Sequence, residues 1–125
     1  MPVRRIHLVL LVEDDHELHD AMAAILEAEG YRVLGAFDGE EAIDRLRDGA
    51  RPCVVVLDLR LPRKDGLQFR AEQLADPELA AIPVIAYSGD ARLAEAATAF
   101  GVRHWFRKPI DFGAMLEVIA GYCPE

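Results

Sequence analysis

Five short apolar runs punctuate the chain: Ile6 to Val12, Tyr31 to Phe37, Cys53 to Leu57, Pro83 to Tyr87 and Val102 to Phe106. Their length and their wealth of branched aliphatic residues predict β-strands. Behind each one the apolar residues change to helical spacing. Leu18, Ala21, Met22, Ile25 and Leu26 fall at i, i+3, i+4, i+7 and i+8, and Phe112, Met115, Leu116, Ile119 and Ala120 repeat that pattern. Both stripes predict amphipathic helices. Three weaker stripes predict the intervening helices: Ala42, Ile43 and Leu46; Leu67, Ala71, Leu74 and Ala75; and Leu93, Ala96, Ala97 and Phe100. Asp15, Asp38, Asp90 and Asp111 stand where N-caps belong, and Gly30, Gly49 and Gly101 where helices should stop.

Five strand–helix units in succession require a parallel sheet, because parallel neighbours need a crossover and right-handed crossovers place helices on both faces. The near-continuous apolar character of Ile6 to Val12 and Cys53 to Leu57 fits strands covered on both sides. The expected fold is therefore a doubly wound α/β sheet. With 125 residues and no repeat, linker or low-complexity tract, the chain reads as one domain over 1–125.

Composition narrows the function. A formal net charge of −8 opposes nucleic-acid binding, which depends on lysine and arginine neutralising phosphates. No apolar run approaches the roughly 20 residues of a membrane helix, and Met1 to Arg5 leads into the first strand without a small-residue cleavage site. The expected compartment is the cytoplasm. Cys53 and Cys123 have neither metal-ligand nor CxxC spacing and are expected to be ordinary reduced thiols. His7, His16, His19 and His104 form no metal or catalytic pattern and are given no role.

In open parallel sheets, ligands bind beyond the carboxyl ends of the strands. Those ends hold Glu13, Asp14 and Asp15; Asp58; Ser88, Gly89 and Asp90; and Arg107, Lys108 and Pro109. Clustered carboxylates repel one another, and holding them together calls for a cation. Hard oxygen ligands of this kind suit Mg²⁺. A carboxylate beside such an ion can act as a nucleophile toward phosphorus, with a lysine neutralising charge and a hydroxyl donating to a phosphate oxygen.

Four segments in this order resemble the signature stretches of response-regulator receiver domains: Leu11-Val12-Glu13-Asp14-Asp15, Val56 through Gly66, Pro83 through Gly89, and Lys108-Pro109. The resemblance covers essentially the whole chain. It implies a flavodoxin-like (βα)₅ fold with strand order 2-1-3-4-5. It also implies that Asp58 accepts a phosphoryl group from a phosphohistidine on a sensor histidine kinase or histidine phosphotransfer protein. Asp14 and Asp58 would then ligate Mg²⁺ directly, with Glu13 acting through water and the backbone carbonyl of Arg60 completing the protein ligands. Lys108 would pair with the phosphoryl group, Ser88 would move to bond it, and the Lys108–Pro109 peptide would be cis. The output would be the surface of the fourth helix, fifth strand and fifth helix, including Leu93, Glu95, Arg103, Trp105 and Arg107, read by an effector the sequence does not name.

Each residue also has a plainer reading. Asp14 and Asp15 could simply open a helix, and Asp65 and Asp90 are expected to be loop or cap residues. Pro62 and Gly66 are expected to shape the loop after the third strand. Trp105 stands where the family usually carries tyrosine or phenylalanine; it is either a strand residue packed on the fourth helix or a switching residue that reports the site. Arg60 and Asp90 would lean over the phosphoryl group. A haloacid dehalogenase-like phosphatase is the competing enzyme reading, but that chemistry wants an acid two residues after the nucleophile, where Arg60 stands. A nucleotide hydrolase lacks any GxxxxGK[ST] or GxGxxG loop here. A phosphorylation-independent interaction module is the third class. The chain is thus expected to be a signalling phosphoacceptor rather than an enzyme acting on other substrates, and Met1 with the short tail from Gly121 leans toward a complete regulator.

Overall fold

A computed structural model describes residues 7–124. The elements alternate without exception: β1 Leu8–Val12, α1 His16–Ala28, β2 Arg32–Ala36, α2 Gly39–Arg47, β3 Val54–Asp58, α3 Gly66–Ala75, β4 Val84–Ser88, α4 Ala91–Ala99, β5 His104–Arg107 and α5 Phe112–Tyr122. Each strand lies within a residue or two of its predicted run, and Ile6 falls outside the described residues. The strands pair in parallel in the order β2-β1-β3-β4-β5, as expected. The order reverses between β1 and β3, and the crevice at their carboxyl ends is where this topology puts a ligand.

The helix starts follow from side-chain chemistry. Asp15, Asp38, Asp90 and Asp111 all accept backbone N–H groups as N-caps, and Asp65 does the same for α3 in a capping box with Gln68. These acids satisfy donors that a helix leaves orphaned in its first turn. Gly66 has a further duty. A Cβ there would come within 2.8 Å of the Asp58 carbonyl oxygen and 2.7 Å of Leu59 Cα, so only glycine lets α3 start this close to the end of β3.

Two cores flank the sheet. Val9, Leu11, Val54, Val56, Ile85 and Tyr87 pack with α1 and α5, while Leu10, Val12, Val55, Leu57, Val84 and Ala86 pack with α2, α3 and α4. This alternation is the pleat of strands buried on both faces. Four predicted helix faces require correction: on α4 Phe100 is exposed and Ala94 is buried in its stead, and on α5 Ala120 is exposed. On α1 the buried positions are His19, Met22 and Leu26, and Ala21 is exposed. On α3 the buried set is Gly66, Phe69, Arg70 and Gln73, whereas Ala71, Leu74 and Ala75 of the predicted stripe are exposed. Gln73 and Arg70 go inside because the loop before β4 leaves carbonyls there. Gln73 Nε2 donates to Leu79 O and Ile82 O at 3.0 and 2.8 Å, and Arg70 Nε donates to Phe100 O at 3.0 Å.

The cysteines also depart from expectation. Cys53 and Cys123 form a disulfide, with Cα atoms 5.5 Å apart, rather than remaining reduced thiols. The physical reason is topological. Helix α5 runs back from the carboxyl ends of the strands to their amino ends, so Cys123 at its C-cap arrives beside Cys53 at the foot of β3. Closing a loop over 70 residues removes much chain entropy from the unfolded state, about 4 kcal/mol in the loop-entropy view. Full reduction, or Cys53→Ala, is expected to lower the unfolding free energy by about 2–4 kcal/mol in urea titrations.

Candidate functional site

The acidic cluster forms where two neighbouring strands, β1 and β3, end. Glu13 follows β1 and is fully buried, Asp58 closes β3 at 2 % exposure, and Asp14 is exposed at the mouth. One carboxylate oxygen from each lies within 4.8 Å of the others. Three acids that close repel strongly unless cations hold them. Lys108 supplies one from the loop after β5: its Nζ donates to Asp58 Oδ2 at 3.0 Å and lies 3.6 Å from Glu13 Oε1. Backbone bonds fix its position, since Lys108 N donates to Ser88 O at 3.0 Å. The Lys108–Pro109 peptide is cis, as expected.

The remaining oxygens are also engaged. Asp58 Oδ1 accepts the Arg60 N–H at 3.0 Å. Glu13 Oε2 accepts the Asp15 N–H at 3.0 Å, and Glu13 Oε1 accepts the Tyr87 hydroxyl at 3.1 Å. Burial pushes the Glu13 carboxyl up to about 7 against the Asp15 N–H, with the Asp58 charge adding to the rise. Burial works against the Lys108 charge, yet the hydrogen bond and charge of Asp58 outweigh it and raise its pKa. Burial, then the charges of Glu13 and Asp58, raise the Tyr87 hydroxyl well above its ordinary range. The cluster therefore holds more negative charge than one lysine balances, and a divalent cation fits its donor chemistry.

The raised Glu13 pKa has a consequence for stability. Unfolded, Glu13 releases its proton near pH 4.5; folded and free of divalent ions, it does so near 7. Between these values the folded state binds the extra proton, so this group's stabilising contribution is full below about pH 4.5 and is lost as pH rises through 7. In Mg²⁺-free urea titrations the Glu13 contribution, taken as wild type minus Glu13→Gln, is expected to fall by ~2 kcal/mol between about pH 5.5 and pH 8. The comparison is needed because buried His19, whose pKa burial lowers, acts in the opposite sense.

The profile of the response regulator receiver domain family matches residues 9–120. The chain belongs to that family. This receiver domain is 32% identical to the polar-differentiation response regulator DivK of Brucella anthropi over 91% of the chain and 94% of that protein. It is 31% identical to the transcriptional regulatory protein PdtaR of Mycobacterium tuberculosis over 89% of the chain, but spans only about half of that protein's length (54%). A response regulator receiver protein from Pseudomonas putida superposes with a TM-score of 0.87 at 30% identity, over 95% of the chain and 99% of that structure. Receiver domains of this kind are signalling proteins of two-component systems.

Within the receiver domain, Glu13, Asp14, Asp58 and Lys108 come together as their strand-end positions suggested. Ser88 sits at the end of β4, 1 % exposed, and its Oγ accepts the Asp90 N–H at 3.0 Å. Arg60 and Asp90 meet at 3.4 Å across the mouth. Trp105 is 41 % exposed and belongs to neither core cluster, so it is not buried against α4. Arg107 is exposed on the same strand and Arg103 is exposed just before it, and Glu95 is exposed on α4 while Leu93 is half-buried. Tyr87 is the participant that sequence reading missed. It lies on β4 and faces the α1–α5 side, where its hydroxyl holds Glu13 and Lys108 Nζ lies 5.5 Å from its ring centre. Its register position opposite Asp58 is the signal that would have found it.

Proposed function

We propose that this receiver domain accepts a phosphoryl group on Asp58 from a phosphohistidine donor and uses it to change the α4–β5–α5 surface. The observation that supports this reading most strongly is the closure of Lys108 Nζ on Asp58 Oδ2 at 3.0 Å, beside carboxylates close enough to share a cation. Asp14, Asp58 and the Arg60 backbone carbonyl, with Glu13 acting through water, would hold Mg²⁺. When bound, that ion supplies charge neutralisation for the incoming phosphate oxygens.

The protein's own groups do the rest. An Asp58 carboxylate oxygen forms the O–P bond as the donor's N–P bond breaks, and the departing imidazole takes up a proton. The Arg60 N–H keeps the other carboxylate oxygen in place. Lys108 then moves its hydrogen bond from carboxylate to phosphoryl oxygen, and Ser88 Oγ leaves the Asp90 N–H to donate to another. Both residues lie on the β4–β5 side of the sheet, so their displacement reaches Trp105 and the exposed α4 and β5 side chains. Partners would be a sensor histidine kinase or phosphotransfer protein upstream and an effector protein downstream. Phosphorylation shifts this equilibrium only by its differential stabilisation of the two states.

The test is incubation with acetyl phosphate and Mg²⁺, followed by intact mass and borohydride mapping. A gain of one phosphoryl group, labile to hydroxylamine and located at Asp58, is expected. An unchanged mass, also after exposure to a phosphorylated histidine kinase, would leave only the phosphorylation-independent interaction module.

A further inference from the structure

At the amino ends of β4 and β5, on the pole of the sheet opposite Asp58, a cleft of about 340 Å³ is lined by Arg70, Ile82, Gly101, Arg103 and Tyr122, among others. Its floor is a buried cation. Arg70 is only 7% exposed, and a guanidinium does not escape burial by losing its proton. Burial does lower its pKa, with Tyr122 the one neighbour opposing that fall. Desolvating a charge is costly unless an opposite charge or a full set of hydrogen bonds compensates.

That compensation is incomplete. Nε donates to Phe100 O at 3.0 Å, and Nη1 to Gln73 Oε1 at 2.9 Å and Ile82 O at 3.5 Å; all three acceptors are neutral. Among the described residues no carboxylate forms an ion pair with Arg70 or with Arg103, although the chain has eight more acids than bases. The two N–H groups on Arg70 Nη2 have no acceptor among the described residues. Nη2 borders Gly101, at ordinary contact distance (3.5 Å) from where a Cβ would stand. Exposed Arg103 adds a second positive charge, and the Tyr122 hydroxyl, 2.7 Å from His104 Nδ1, stands at the rim.

We infer that this cleft is a binding site for a small oxyanion, a carboxylate or phosphate, held between Arg70 Nη2 and Arg103. The chemistry is that of arginine forks, which present paired N–H groups to planar or tetrahedral oxygens. The site is independent of what happens at Asp58. The oxyanion is one free in solution, for which inorganic phosphate serves as the probe.

The decisive experiment is a ¹H–¹⁵N titration of the full chain with inorganic phosphate, without Mg²⁺ and against chloride at equal ionic strength. Saturable shifts are expected at Arg70 Nε–H and at the Gly101 and Ile82 amides, with little change at Lys108. Arg103→Gln, a surface change, is expected to weaken the apparent affinity about tenfold. Arg70→Gln is expected to abolish the response wherever its amide spectrum shows a folded chain. Absence of saturable shifts in the wild type overturns the proposal, as does an affinity unmoved by Arg103→Gln.

Discussion

Asp58→Ala is expected to remove phosphoryl uptake completely, leaving the mass of the chain unchanged under conditions in which the wild type gains a phosphoryl group. No neighbouring acid is placed to take over. Glu13 is fully buried, and both its oxygens are already committed, to the Tyr87 hydroxyl and the Asp15 N–H. Asp14 is exposed and lacks the lysine contact that draws charge onto Asp58 Oδ2. The loss will not come from unfolding. Deleting one of three crowded carboxylates relieves repulsion, so the urea midpoint of Asp58→Ala in Mg²⁺-free buffer is expected to match or exceed that of the wild type. A variant that still gained the phosphoryl mass would move the acceptor elsewhere.

Withdrawing the divalent ion is expected to have the next largest effect. With EDTA present, or in Asp14→Ala at low Mg²⁺, phosphorylation by acetyl phosphate should slow at least about a hundredfold, the scale set by several kcal/mol of charge stabilisation. The reason lies in the charge balance of the site. An incoming phosphoryl group adds negative charge to a cluster in which Lys108 is the cation bonded to Asp58 and next to Glu13. Asp14 suits this test because it is exposed, and its loss leaves both cores untouched. Calorimetry should show Mg²⁺ binding weakened by about 10–100-fold in Asp14→Ala, on the scale of losing a charged ligand. Equal rates with and without Mg²⁺ would remove the ion from the reaction.

Much of the molecule was legible because local chemistry and global topology agree. An apolar run with a polar residue at its carboxyl end is visible in one dimension, and Asp58 and Ser88 close β3 and β4 where such runs end. The N-cap acids were legible for the same reason, since a cap acts within three residues of itself. What stayed hidden depended on distant partners. Arg70 and Gln73 look like the wet side of α3 until the carbonyls of Leu79, Ile82 and Phe100 are brought to them. His19 displaced Ala21 inward by stacking on Phe37, their ring centres 4.4 Å apart. Tyr87 read as an ordinary strand residue because its partner Glu13 is 74 positions away. The cysteine pair was missed because sequence spacing does not say which helix end meets which strand foot.

That pair also sets how α5 can move. Its last turn is tied at Cys123 to the base of β3, while its first residue, Phe112, follows closely on Lys108 and Pro109. A rod fastened at its far end cannot slide along the sheet; it can only pivot. Whatever pulls on the lysine loop is therefore converted into a swing that is widest near Phe112 and vanishes at the sulfurs, and cutting the bridge would free the helix to translate as well.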